Sequence, residues 1–142
     1  DGTFGIRGGG PDVIASIDEA VAGPMGIDAR TAQRYRGERP FIDTFPGHIP
    51  GALSAPVLDN LGPDKRFRPV DELKDRFAAL GVSDASEVIA YCGSGVSACL
   101  DLLALEHAGL GRGRLFVGSW SQYSATDRPV ATGAEPGFAT TT

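Results

Sequence analysis

Apolar residues along the chain come in short runs separated by glycine, proline and charge, and the runs alternate between two periods. Val13-Ile14-Ala15, Met25-Gly26-Ile27-Asp28-Ala29, Ala52-Leu53-Ser54-Ala55, Glu87-Val88-Ile89-Ala90-Tyr91 and Leu115-Phe116-Val117 have the length and side-chain content of short strands. Helical signals fall between them. Ser16-Ile17-Asp18-Glu19 has the spacing of a capping box, opening a brief helix that Gly23-Pro24 ends. Thr31 to Tyr35 reads as a helical turn. Val70, Leu73, Phe77 and Leu80 recur on one face behind Pro69, with Gly81 closing that helix. From Ser97 to Ala108 the chain is apolar on most sides, which suits a helix laid on a sheet; Cys99 reads there as core filler, and His107 as a complement to the helix dipole. Gly109 and Gly111 stop it. Strands alternating with helices predict an α/β domain with a mostly parallel central sheet and helices on both faces, and no internal repeat is evident.

The 142 residues suit one domain with a substantial core. Residues 1–12 begin with a glycine-rich stretch without periodicity and read as a linker or cut end, residues 13–133 as the folded domain, and residues 134–142 as a C-terminal tail. A formal net charge of -5 argues against nucleic acid as the main partner, because phosphate binding needs a basic face. No apolar run approaches a membrane span, and the start shows no basic and apolar leader pattern. The expectation is a soluble, cytoplasmic protein. Two cysteines, Cys92 and Cys99, are spaced unlike a Cys-x-x-Cys pair and read as reduced thiols.

Candidate chemistry concentrates at Tyr91-Cys92-Gly93-Ser94-Gly95-Val96-Ser97-Ala98. Cys92 stands where a strand ends and a helix is about to begin. Gly93 and Gly95 permit positive φ and leave the concave side of the turn clear. Successive amides of Gly93, Ser94, Gly95, Val96 and Ser97, with the positive end of the following helix, can form an anion cradle that favours a thiolate. Two rival readings fail on the same letters. A Cys-x5-Arg phosphatase loop needs arginine where Ala98 stands, and a serine elbow needs glycine where Cys92 and Val96 stand. Arg30, Arg34, Arg36 and Arg39 lie close together in sequence near a strand end, and could give an acidic chain a local positive site for an anion. His48, in the turn Gly47-His48-Ile49-Pro50-Gly51, reads as a structural hydrogen-bonding residue rather than a base or metal ligand.

Cys92-Gly93-Ser94-Gly95-Val96-Ser97-Ala98 resembles the active loop of rhodanese-family sulfurtransferases, close to the 3-mercaptopyruvate type. Ile27-Asp28-Ala29-Arg30, Arg34-Tyr35-Arg36-Gly37-Glu38, Gly47-His48-Ile49-Pro50-Gly51-Ala52 and Gly118-Ser119-Trp120-Ser121 resemble, in order, its other signature segments. The resemblance spans roughly residues 25–133 and implies a three-layer rhodanese-like fold, a Cys92 persulfide intermediate, and no metal or organic cofactor. It implies a small anionic sulfur donor, 3-mercaptopyruvate or thiosulfate, and a thiol or cyanide acceptor. Arg34 occupies the place of a family arginine that binds the donor, with Arg30, Arg36 and Arg39 as further candidates. Asp28, His48 and Trp120 are expected to be structural residues near the site. Phe41 to Phe45 fill the space where relatives of the mercaptopyruvate type often carry a second substrate arginine. Two-domain relatives hold the active cysteine in the second half, so a missing N-terminal rhodanese domain is a further expectation. A catalytically quiet rhodanese domain used for regulation or protein binding is the alternative.

Overall fold

The computed structural model describes residues 13–23, 25–38, 46–93 and 96–137. The expectations attached to Arg39, Ser94, Gly95, the 1–12 segment and the last five residues lie outside these.

Five strands, β1 (Ile14–Ala15), β2 (Met25–Asp28), β3 (Leu53–Ser54), β4 (Val88–Tyr91) and β5 (Arg114–Phe116), form one sheet in the order β1-β5-β4-β2-β3. Every pairing in it is parallel. Parallel neighbours need crossovers, and these are supplied by α1 (Ile17–Ala22), α2 (Ala32–Arg36), α3 (Val70–Ala79) and α4 (Val96–His107). A fifth helix, α5 (Ser119–Tyr123), follows β5.

β4 is the middle strand, and it reads as an unbroken apolar run because both its faces are covered. Its side chains alternate between two cores. Val88, Ala90 and Cys92 pack with Phe77, Ala98, Ala104 and Leu105 of α3 and α4, while Ile89 and Tyr91 pack with Ala20, Phe116, Trp120 and Tyr123 on the other face. The result is the three-layer arrangement expected from the sequence.

Local signals act as their chemistry dictates. Ser16 and Glu19 make both bonds of the capping box at the start of α1. Gly109 and Gly111 adopt positive φ after α4, which ends the helix and turns the chain towards β5. α4 departs from expectation in one respect: Cys99, read as core filler, is exposed, and so are Leu100 and Leu103. Six residues of nearly uniform apolarity, Ala98 to Leu103 with Asp101 inserted, hide which face is inward, and the inward face proves to be Ala98, Asp101, Ala104 and Leu105. Residues 131–136 pack back along the 47–51 turn. Ala131 pairs antiparallel with His48, and Gly51 donates to the Pro136 carbonyl at 2.9 Å.

Candidate active site

Cys92 follows β4 directly, at the carboxyl edge of the sheet where ligands bind in open α/β folds. Its backbone and that of Gly93 are held by the first three residues of α5. The Cys92 N–H donates to Ser119 Oγ at 3.1 Å, Trp120 N–H donates to the Cys92 carbonyl at 2.8 Å, and Ser121 N–H donates to the Gly93 carbonyl at 3.1 Å. Ser121 Oγ also donates to the Gly93 carbonyl, at 2.7 Å. The neighbouring strand order makes this possible, since β5 lies beside β4 and delivers its own strand-end turn to the same edge.

Ser119 has φ 53 and is fully buried, an uncommon left-handed conformation for a residue with a side chain. Its hydroxyl donates to the Phe116 carbonyl at 2.9 Å while accepting from Cys92. Sequence reasoning gives Ser119 no role, although it stands in one of the segments singled out; the signal was a serine between a strand-ending glycine and a tryptophan.

The Cys92 residue is 3 % exposed and its contacts are with the α3–α4 core. Gly93 does not adopt the left-handed backbone, and a Cβ there would meet nothing within 4 Å. Of the two properties that glycine offers at this turn, positive φ and a clear concave side, Gly93 uses the second. Ser97, one residue into α4, is half-buried, and Ala98 is fully buried at the position where a phosphatase arginine would stand.

The arginines separate by environment. Arg30 was a substrate candidate from its charge, but it is 5 % exposed and faces inward. Its guanidinium grips Asp28 with Nη2 at 2.7 Å from Oδ2 and Nε at 3.0 Å from Oδ1, donates to the Gly47 carbonyl at 2.6 Å, and lies 4.7 Å over the Trp120 ring. A fork-shaped cation in a site with a carboxylate, a carbonyl and an aromatic face is anchored by geometry, so it ties β2 to the 47–51 turn. Arg36 is paired with Glu38 at 2.6 Å, a carboxylate that competes with any incoming anion. Arg34 is half-buried on α2, the same helix.

The structural residues form one connected block. His48 is fully buried, its ring stacked 3.7 Å from that of Tyr35, with Nδ1 2.8 Å from the Tyr35 carbonyl and Nε2 2.9 Å from the Pro136 carbonyl. The Tyr91 hydroxyl accepts from Ile49 N–H at 3.0 Å. Burial above all, then the Asp28 charge, pushes the Tyr91 phenol well up, so it stays neutral. Trp120 is 2 % exposed, a core residue stacked near Tyr123. Among the described residues no group of three His, Cys, Asp or Glu side chains could hold a metal ion. Among them, too, no helix is long and apolar enough to cross a membrane.

This geometry can be set beside known proteins. The rhodanese-like domain family matches residues 15–126. A protein of Pseudomonas aeruginosa named probable 3-mercaptopyruvate sulfurtransferase is 49% identical over 135 residues, covering 88% of this chain and 47% of that protein. A putative thiosulfate sulfurtransferase of Mycobacterium tuberculosis is 36% identical over 126 residues, covering 87% of this chain and 44% of its own length. The solved 3-mercaptopyruvate sulfurtransferase from Leishmania major superposes with a TM-score of 0.72 at 36% identity, over 82% of this chain and 33% of that one. The chain thus spans less than half the length of these relatives. With a family match across most of its residues, the parallel five-stranded sheet, and Cys92 at the sheet's carboxyl edge before α4, the chain belongs to the rhodanese-like domain family.

Proposed function

We propose that this domain is a sulfurtransferase that moves a sulfane sulfur from 3-mercaptopyruvate or thiosulfate to a thiol or cyanide through a persulfide on Cys92. The observation that carries the reading is the clamp on the nucleophile: a cysteine at a strand end, its N–H and carbonyl both bound by the 119–121 turn, with α4 beginning four residues later. A fixed backbone presents the sulfur in one place, which is what an in-line displacement needs.

In the first half-reaction the Cys92 thiolate attacks the donor sulfur and a new S–S bond forms. The bond from that sulfur to carbon in 3-mercaptopyruvate, or to the sulfonate sulfur in thiosulfate, breaks. Pyruvate enolate or sulfite leaves with the electron pair, and the enolate takes a proton from water. In the second, the acceptor attacks the outer persulfide sulfur and Cys92 departs as thiolate. Both leaving groups of the first step are anions, so amides from Gly93 to Ser97 and the positive end of α4 assist departure. Arg34, and with it Arg36 and Arg39, orients the donor by charge; Arg30 supports the site from beneath. A second rhodanese unit in a longer protein would cover the cleft and add substrate contacts.

The names of the relatives divide between the two donors, so donor preference is read from side-by-side turnover. The mechanism itself is tested by mixing protein and donor, removing the excess, and weighing the intact chain. One added sulfur atom, absent from Cys92→Ser and present in Cys99→Ser, is expected. An unmodified chain that also fails to transfer sulfur to cyanide would leave a quiet binding domain as the reading.

A further inference from the structure

Asp101 lies on the inner face of α4, fully buried, in a position the persulfide mechanism does not use. Asn60, at the end of the short helical turn Val57–Asn60, is also fully buried and donates from Nδ2 to Asp101 Oδ1 at 2.7 Å. The second oxygen of each group, Asp101 Oδ2 and Asn60 Oδ1, is buried without a hydrogen-bond partner, and so is Arg76 Nη1 on α3. Native proteins rarely leave such atoms unmet, because each costs the full desolvation of a polar group.

We infer that Asp101 is a positioning residue for the Cys92 loop, closing with Asn60 a two-bonded amide–acid ring that fixes α4 against the segment preceding α3. A single proton on Oδ2 turns that atom from acceptor to donor, and its natural acceptor is the unmet Asn60 Oδ1, attached to the same carbon as the nitrogen already bound. Both orphaned oxygens are satisfied at once. As a carboxylate, Asp101 would instead face Asn60 Oδ1 with a second acceptor, and the charge on Arg76 would draw it towards α3.

The electrostatic surroundings agree with the acid form. Burial pushes the Asp101 carboxyl up to about 7; the Asn60 bond and then the Arg76 charge oppose this, while Asp28 at the end of β2 and Asp59 beside Asn60 add to it. Apart from these groups, α4 is packed by the apolar strand β4 and by β5, whose Arg114 is paired with Glu19. The link to chemistry is mechanical. α4 begins at Val96, and its first turn continues from the Cys92 loop, so a shift of α4 between Asn60 and Arg76 moves the loop with it.

The inference rests on Cys92 as the reactive residue only for its purpose, and its test needs no turnover. In the Cys92→Ser chain, where that thiol cannot titrate, the carboxyl carbon of labelled aspartate is followed by NMR, with Asp101→Asn in the same background to assign the signal. The expected result is an Asp101 carboxyl that is protonated at about pH 5 and titrates near neutrality, above the ordinary aspartate value of about 3.9. Backbone amides at positions 92 and 93 should shift with the same midpoint, and lose that shift in Asp101→Asn, which keeps a donor and an acceptor on the ring. An Asp101 already ionised at about pH 5 overturns the ring. A normal acid form that titrates while the loop amides stay still overturns the positioning role.

Discussion

Ser119 Oγ sits 3.1 Å from the backbone nitrogen of Cys92, 27 residues away in sequence, and at the same time donates to Phe116. The pair joins the two strand-end turns at the carboxyl edge, and Ser119 holds a left-handed backbone to do so. Removing the hydroxyl leaves a buried N–H unmet. Ser119→Ala should cost about 1–3 kcal/mol in urea unfolding and slow sulfur loading of Cys92. Ser119→Gly loses the same bond but relieves the backbone, so it should be no more destabilised than the alanine variant.

The two thiols should separate by reagent. Cys99 is exposed and Cys92 buried, so a bulky maleimide in the native state should label Cys99 quickly and Cys92 slowly, with both equal in denaturant. Equal native rates would show that the Cys92 loop opens far more readily than its packing implies. Peptide mapping distinguishes the sites.

Arg30 and Asp28 are a buried ion pair with side chains 3% and 0% exposed. Arg30→Met leaves the Asp28 carboxylate uncompensated and should cost about 3–5 kcal/mol, far more than any pairwise attraction at the surface. Arg36→Met, whose partner Glu38 is half exposed, should change stability by under about 1 kcal/mol. If the Arg30 variant were as stable as the wild type and lost only donor affinity, Arg30 would be a ligand contact after all.

His48 links the 47–51 turn to the C-terminal stretch through Pro136 and to α2 through the Tyr35 carbonyl. His48→Phe keeps a ring to stack on Tyr35 and loses both polar contacts. Faster proteolysis after Thr126 than in the wild type, with a loss of about 1–3 kcal/mol, is expected.

The Asp101 carboxyl gives stability a definite slope with pH. Its folded value is raised from the ordinary 3.8 to about 7, so between these the folded chain holds a proton that the unfolded chain has released. Stability from this group therefore falls as pH rises through that window and is level above it. Carboxylates such as Glu19 and Glu38, lowered by hydrogen bonds to Ser16 and Arg36 respectively, slope the opposite way, so the difference between wild type and Asp101→Asn isolates the effect. The variant should lose stability less than the wild type between about pH 4 and 7 in urea titrations.

What the sequence determined by itself was everything that depends on neighbours along the chain. The continuous apolar run Val88 to Tyr91, the Ser16 capping box, the apolar face of α3 and the glycines after α4 are local statements about backbone conformation and burial, and the placement of Cys92 between strand and helix follows from them. The tertiary structure decided which polar groups meet. Arg30, Asp101 and Ser119 carry the same letters whether they face water or the interior, and charge or hydroxyl alone suggests water. Their partners, Gly47, Asn60 and Cys92, lie 17, 41 and 27 residues away, and are brought together by the strand order β1-β5-β4-β2-β3. Burial is encoded by local periodicity; polar pairing depends on which distant turn arrives at the same sheet edge, and only the folded arrangement fixes that.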